Sequence, residues 1–412
     1  MPEVTFTTGG ALKKSSLRQA NERLVLNVVR QYPLVSRADI VRITGLSPSS
    51  VTFIVKRLER QEMLCEAVTE PRLTVVGRQP IALRLRPEAR LAVGVDVTLS
   101  GARIAVADMN DVIVMRKSVP WHANYALFFE RVNSALRSIL EAMAAGQALG
   151  VGVALPGFID EESGRVLAAE NFNWLGVDAG ALLRRDLPVP FYFENTARLS
   201  AMAEMWSSER GPNALRHFVS ITAHGGLGTG VINDGQLLRG ASSAGAEFGH
   251  ISLYPDGRRC ICGNTGCWEQ YASDLALARA YRDARGHNGT EADAESIVKM
   301  ARAGDAVALR VLNETARHVG LGFVNLVMAL NPQAIVLSDY LAESWDLIED
   351  TVWSVLRGRV APYYLSGLRI FPSCHGAESS LRGAVALVFS RFFGGFGDEN
   401  GAQSANSVQM RG

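Results

Sequence analysis

A chain of 412 residues, 48% hydrophobic and 20% charged, is too long for one ordinary core and suits a small domain joined to a larger, two-lobed one. No apolar run approaches the length of a membrane span and the opening MPEVTFTTGGALKKSS lacks the apolar core of a secretory signal, so no membrane partner is expected and the cytoplasm is the expected compartment. The net charge of +1 conceals an asymmetry: residues 1–90 carry 15 Lys and Arg against 8 Asp and Glu, whereas the remainder carries 27 against 33, as a basic nucleic-acid reader on an acidic body would.

Residues 1–17 are expected to be a flexible arm and residues 395–412, rich in Gly, Asn, Ser and Gln, a disordered tail. The segment 18–88 reads as a winged helix-turn-helix. Within 19–32, Leu24, Val25, Val28 and Val29 fall on one helical face. Ser36 is placed to cap a second helix that Gly45 ends. Ser47 caps a third, with Pro48 in its first turn, where a missing N–H costs nothing. Val51, Ile54, Val55 and Leu58 make the buried stripe of that third helix, leaving Ser49, Ser50, Thr52, Lys56 and Arg57 on the opposite face. Short polar side chains leading a helix after a tight turn suit the major groove, with Lys56 and Arg57 holding phosphates. The strands MLCEAV and IALRLRP flank TEPRLTVVGRQP, which reads as a wing: Gly77 permits the turn, and Arg78 at its tip could enter a minor groove. Operator DNA is the expected partner.

Past Pro87 the pattern becomes α/β. Three short strands (LAVGVDV, ARIAVADM and DVIVMRK) precede a helix over about Tyr125–Ala145, the buried strand ALGVGVALP and the strand VPFYFEN. From His217 the order recurs with HFVSITA, a Gly-rich turn, GTGVIND and QLLRG, and later the strand AIVLS. Two copies of one strand-meander-plus-helix unit predict two similar lobes with a cleft between them, over residues 89–394. The boundary is expected near 195–210, with the last helix returning to the first lobe.

Of five cysteines, Cys260, Cys262 and Cys267 crowd into eight residues, and His250 stands ten residues upstream of the first. With no sign of an oxidising compartment, metal ligation is a better reading than disulfides. A Cys₃His set suits tetrahedral Zn²⁺, and four protein ligands leave no open position, so one structural zinc per chain is expected.

The stretch GASSAGAEFGHISLYPDGRRCICGNTGCWEQYAS resembles the signature of the ROK family, named for repressors, open reading frames and sugar kinases. Its elements are A-E-F-G-H at Ala246–His250, C-x-C-G-x-x-G-C at Cys260–Cys267, and W-E at Trp268–Glu269. Similar matches are LPGFID, NFNWLG, FEN ending at Asn195, and GLGTGVINDGQLLRG from Gly226. The resemblance spans roughly residues 18–394 and implies an actin- or hexokinase-like domain with sugar in the interlobe cleft. Carried over by position, the sugar contacts fall on Asn195, Glu247, His250 and Glu269, with specificity set around Gly157, Asn173 and Trp174. His250 would divide its ring nitrogens between zinc and sugar.

Kinases of this family carry Asp directly after the Glu-Asn pair. Here Thr196 stands there, and a hydroxyl is no usable base near neutral pH. Their phosphate loop D-x-G-G-T is replaced by Asp96, Val97, Thr98, Leu99 and Ser100, and their Gly-rich adenosine turn by Ser338, Asp339 and Tyr340. Only AHGGLGTG keeps its glycines. The expectation is a sensor without the kinase reaction: a repressor, homodimeric or homotetrameric, answering to a monosaccharide or sugar phosphate. Left open are an active sugar kinase carrying a DNA module, and a regulator governed by a protein partner.

Overall fold

Capping chemistry sets the helix boundaries of the N-terminal unit in the computed structural model, which describes residues 14–67, 81–208, 214–241, 243–286 and 292–394. This unit comprises residues 1–89 with 390–412, and the second comprises 90–389. Helix α1 (Lys14–Gln31) begins four residues inside the expected arm. After β1 (Val35–Ser36), Ser36 and Asp39 close a reciprocal capping box on α2 (Arg37–Thr44), and the Ser36 hydrogen bonds hold the Asp39 carboxyl below its ordinary range. Gly45 ends α2 in the left-handed conformation. Ser47 caps α3 (Pro48–Arg60) through the Ser50 N–H. β2 (Leu64–Ala67) and β3 (Ala82–Leu85) complete an antiparallel sheet of order β1-β3-β2. Val51, Ile54, Val55 and Leu58 are buried as expected. Leu24 is not: it is 41% exposed, and Leu26 joins Val25, Val28 and Val29 instead. The arc of α1 covered by α2, α3 and β3 lies on the Leu26 side of Val25. The wing residues 69–80, with Gly77 and Arg78, lie outside the described residues.

In the second unit β4 (Leu91–Thr98), β5 (Gly101–Asp108) and β6 (Ile113–Pro120) form an antiparallel meander. Helix α4 (Tyr125–Glu141) follows, ending four residues short of the expected boundary. β7 (Ala148–Leu155) then joins β4 in parallel. A small antiparallel sheet of β8 (Phe158–Asp160), β9 (Arg165–Ala169) and β10 (Trp174–Val177) intervenes, then α5 (Ala179–Arg184), before β11 (Phe191–Asn195) joins β7. Helix α6 (Thr196–Ser208) leads to the second meander, β12 (Phe218–Thr222), β13 (Gly228–Asn233) and β14 (Gln236–Leu237). Helices α7 (Glu269–Ala272), α8 (Asp274–Arg285), α9 (Ala294–Arg302) and α10 (Ala306–Leu330) come next. β15 (Ala334–Leu337) joins β12 in parallel, and after α11 (Asp339–Glu343), α12 (Trp345–Arg359) and α13 (Pro362–Leu365), β16 (Arg369–Pro372) joins β15. Read from the meander edge, the orders β6-β5-β4-β7-β11 and β14-β13-β12-β15-β16 are the same. The repeat is therefore one of topology, with no sequence identity needed.

Each lobe has its own core, one around Val93, Val95, Phe128 and Phe129, the other around Val219, Ile221, Trp268 and Phe323. Trp174, expected to border the cleft, is instead 4% exposed and packs against Trp121, Phe129 and Phe172. The last helix, α14 (Ser379–Phe393), lies on the first-lobe sheet so closely that a Cβ on Gly152 would collide with the Ala384 carbonyl. Glycine is what admits it. Among the described residues no helix is long and apolar enough to cross a membrane.

Candidate functional site

His250 closes the short turn Phe248–His250, and the three cysteines follow on a loop pinned by bridges between Ser252 and Cys267 and between Arg259 and Thr265. The loop folds tightly because Gly266, at φ 71°, lies where any Cβ would strike the Tyr254 carbonyl. His250, Cys260, Cys262 and Cys267 thereby bring their ligand atoms within 4.8 Å of one another. The Cys260 Sγ lies 3.7 Å from His250 Nδ1, and the Cys262 and Cys267 sulfurs are 3.7 Å apart. Without a cation, burial pushes the Cys267 thiol up to about 12. A divalent ion reverses that balance and holds the thiolates. The group could hold a metal ion, and all four positions expected for it are present.

Beside this cluster lies a cavity of about 190 Å³, lined by both lobes. Gly157, Asn195, Glu247, His250 and Glu269 all line it. Asn173 does not: it sits in a left-handed turn at φ 54°, and Asn171 and Phe172 line the wall in its place. The Asn195 amide donates to the Gly157 carbonyl at 2.9 Å, and its Oδ1 accepts from the Ala197 and Arg198 N–H groups at the start of α6. One amide hydrogen remains for a ligand. Behind Asn195, Arg198 (3% exposed side chain) pairs with Glu194 (1%) at 3.3 Å and with Glu161 at 3.1 Å, and approaches Glu247 to 3.7 Å. Arg239 joins the same two acids at 3.0 and 2.9 Å. Burial outweighs these arginines and holds the Glu194 carboxyl above its ordinary range. Because Nδ1 of His250 faces Cys260, its Nε2 is the nitrogen left to the cavity.

The other end of the cavity carries the glycine turn of residues 223–230. Three of its N–H groups are bonded to carboxylates: Ala223 donates to Asp339 at 2.9 Å, Gly225 to Asp274 at 2.8 Å and Leu227 to Glu269 at 3.1 Å. Burial raises both the Asp274 and Asp339 carboxyls. Thr196 lines the cavity and its hydroxyl has no hydrogen-bond partner among the described residues. Asp96 is fully buried and ion-paired with Arg103, and Leu99 Cδ1 comes within 3.3 Å of where a Cβ on Gly225 would stand.

In the N-terminal unit Ser49, Thr52 and Lys56 are exposed along α3, while Ser50 is half-buried. The three hydroxyls are drawn onto the first turn. Ser47 bonds Ser49 and Ser50 at 3.0 and 2.8 Å, and Thr52 donates to the Pro48 carbonyl at 2.8 Å. Arg57, one third exposed, is held through Nη1 by Glu22 of α1 at 2.6 Å, which leaves its other donors for phosphate. Phe53, which the stripe period already places off the core, is 57% exposed.

A winged helix-turn-helix DNA-binding model matches residues 18–64, and the model of the ROK family matches residues 92–391. The chain belongs to the ROK family. Among ROK relatives, the xylose repressor of Bacillus subtilis (strain 168) is 26% identical over 91% of this chain and 96% of its own length. The DNA-binding transcriptional repressor Mlc of Escherichia coli (strain K12) is 26% identical over 92% and 95%. In fold, the crystal structure of a ROK family transcriptional regulator, a homolog of the E. coli MLC protein, superposes with a TM-score of 0.77 at 22% identity, covering 92% of this chain and 97% of that one. The α/β architecture of a winged helix-turn-helix followed by an actin- or hexokinase-like ROK domain is thus established. Sequence alone does not single out Asn171 and His224 on the cavity wall, nor the bonds of Asp274 and Asp339 to the glycine turn, because these contacts join segments far apart in the chain; the exposed Phe53 is legible from the stripe period.

Proposed function

We propose that this ROK protein is a sugar-responsive, DNA-binding transcriptional regulator, a repressor of carbohydrate-utilisation genes that leaves its operator when sugar fills the cavity. The observation that carries this reading is a DNA-binding module joined to a kinase-like cavity whose glycine turn is closed by the chain's own carboxylates. A nucleotide phosphate would find those N–H donors taken and negative charge beside them. With Thr196 in place of a base, no phosphoryl transfer is expected, and the protein is not an enzyme. Asn195, Glu247, His250, Glu269 and the backbone at Gly157 bind the sugar hydroxyls. Glu247, Glu269 and Asp339 on the cavity wall favour a neutral sugar over its phosphate.

His250, Cys260, Cys262 and Cys267 hold one Zn²⁺, a ligand set that zinc prefers. The ion supplies rigidity and orients the His250 ring toward the ligand. A cytoplasmic homodimer, or a tetramer built from it, presents two α3 helices to a palindromic operator, and sugar closure of the lobes alters their spacing. Ser49, Ser50 and Thr52 face base edges, and Lys56 and the wing residue Arg78 meet the DNA backbone and minor groove. Lys56→Ala should weaken binding alike on all sequences and lower the salt slope by roughly 1. Thr52→Ala should relax preference at one operator position by about 1–3 kcal/mol. Arg57→Ala should instead lower the melting temperature, because it frees Glu22. Competition binding at several salt concentrations and thermal melting separate the three.

A thermal-shift screen of free and phosphorylated monosaccharides, with an ATP-consumption assay on the hits, tests the effector reading. A neutral sugar should raise the melting temperature, its phosphate should do less, and no phosphosugar should form. Turnover near about 1 s⁻¹, within the usual kinase range, would establish an active kinase instead.

A further inference from the structure

A second group of metal-ligating side chains lies away from the cysteine loop. Glu204 on α6 meets Cys374 and His375 in the turn after β16, with ligand atoms all within 4.8 Å of one another. Glu204 is 5% exposed. Its carboxylate receives the Ser373 hydroxyl and, at 3.8 Å, the Cys374 thiol, and among the described residues no basic side chain forms an ion pair with it. The buried carboxylate, the thiol and the imidazole thus present three donors of different type to one point, as a metal ion requires. The turn is preorganised for one: the His375 N–H donates to the Ser373 hydroxyl at 3.0 Å, and Ser207, one turn along α6 from Glu204, hydrogen-bonds His375 Nε2 at 2.9 Å.

We propose that Glu204, Cys374 and His375 form a second metal site for Zn²⁺ or a similar borderline divalent ion such as Co²⁺ or Ni²⁺. A thiolate and an imidazole beside one carboxylate suit these ions, whereas Ca²⁺ and Mg²⁺ demand oxygen donors. Cys374 is exposed, so water completes the coordination and the ion exchanges more readily than one in the closed Cys₃His cluster. The site ties together two segments that also line the cavity. Ser200, one turn before Glu204, accepts a 3.1 Å hydrogen bond from Ser379, four residues after His375, and both serines line the cavity wall. Occupancy therefore fixes the cavity floor, and metal should tighten ligand binding there.

The test is a Co²⁺ titration of the full chain after dialysis against a mild chelator. Wild type should take up one equivalent beyond the ion that survives dialysis, with a thiolate-to-cobalt charge-transfer band. Cys374→Ser and His375→Ala should lose that equivalent while keeping the first and an unchanged circular dichroism spectrum. Cys267→Ser removes the other equivalent, so the two clusters are scored separately. No additional uptake by folded wild type, or equal additional uptake by wild type and both variants, would overturn the proposal.

Discussion

Cys267→Ser should remove the cysteine-loop metal and the sugar affinity together. Cys267 is fully buried, and the next residue, Trp268, is anchored in the second-lobe core, its Nε1 donating to the His318 carbonyl at 2.9 Å. Ile251 and Leu253 pack on the second-lobe core, but Ile261 and Cys262 at the tip of the loop are exposed, so the ion is what ties that tip down. Apparent zinc affinities in small finger peptides reach about 10–16 kcal/mol, although here only the loop depends on the ion. The lobe should remain folded with a lower melting temperature, while His250 loses its orientation. After dialysis against a mild chelator to strip the exchangeable site, metal analysis should find less than half of the wild-type zinc, and the sugar-induced melting shift should vanish. A metal-free variant that kept the full shift would separate the two sites and remove zinc from the mechanism.

Arg198→Ala is expected to cost about 1–3 kcal/mol of stability, because it leaves the buried Glu194 with Arg239 as its one remaining guanidinium partner among the described residues. Arg198 also bonds the Ser243 carbonyl and approaches Glu247, so the loop bearing one proposed sugar contact is loosened in the same step. Lysine should rescue poorly, since one ammonium cannot span Glu161, Glu194 and the backbone. The deficit should depend on pH. Burial holds the Glu194 carboxyl above its ordinary value, so its protonated form is the one the fold prefers. That contribution is present below the unfolded-state value and lost as pH rises through the folded one. Removing Arg198 raises Glu194 further, so the variant should come closer to wild type in mild acid and fall furthest behind at neutral pH. Urea unfolding across that range checks both points. A loss under about 1 kcal/mol at neutral pH would mean that water reaches Glu194.

Local chemistry was legible where its partners are close in sequence. Ser36, Gly45 and Ser47 announce the ends of α2 and α3 because a cap acts on its own helix. The metal cluster is legible because its four ligands fall within eighteen residues of chain. Long-range pairing escaped the reading. Nothing around Arg57 indicates that Glu22 will hold it, nor around Asp274 and Asp339 that they will bond the turn at 223–225. The small sheet β8-β9-β10 escapes a pattern reading because its strands are short and broken by turns, and with it the burial of Trp174. Topology, by contrast, was readable twice over, since each meander is written as apolar strands separated by turn residues.

In the proposed mechanism, sugar in the cavity and operator on α3 oppose one another. Linkage makes it measurable: if sugar weakens operator binding by some factor, operator must weaken sugar binding by the same factor. The sugar found by thermal shift, titrated calorimetrically into the full chain with and without saturating operator duplex, reads that factor directly. Sugar should bind more weakly on DNA, by roughly 5- to 150-fold for a coupling of about 1–3 kcal/mol. Equal affinities in the two titrations would contradict that mechanism.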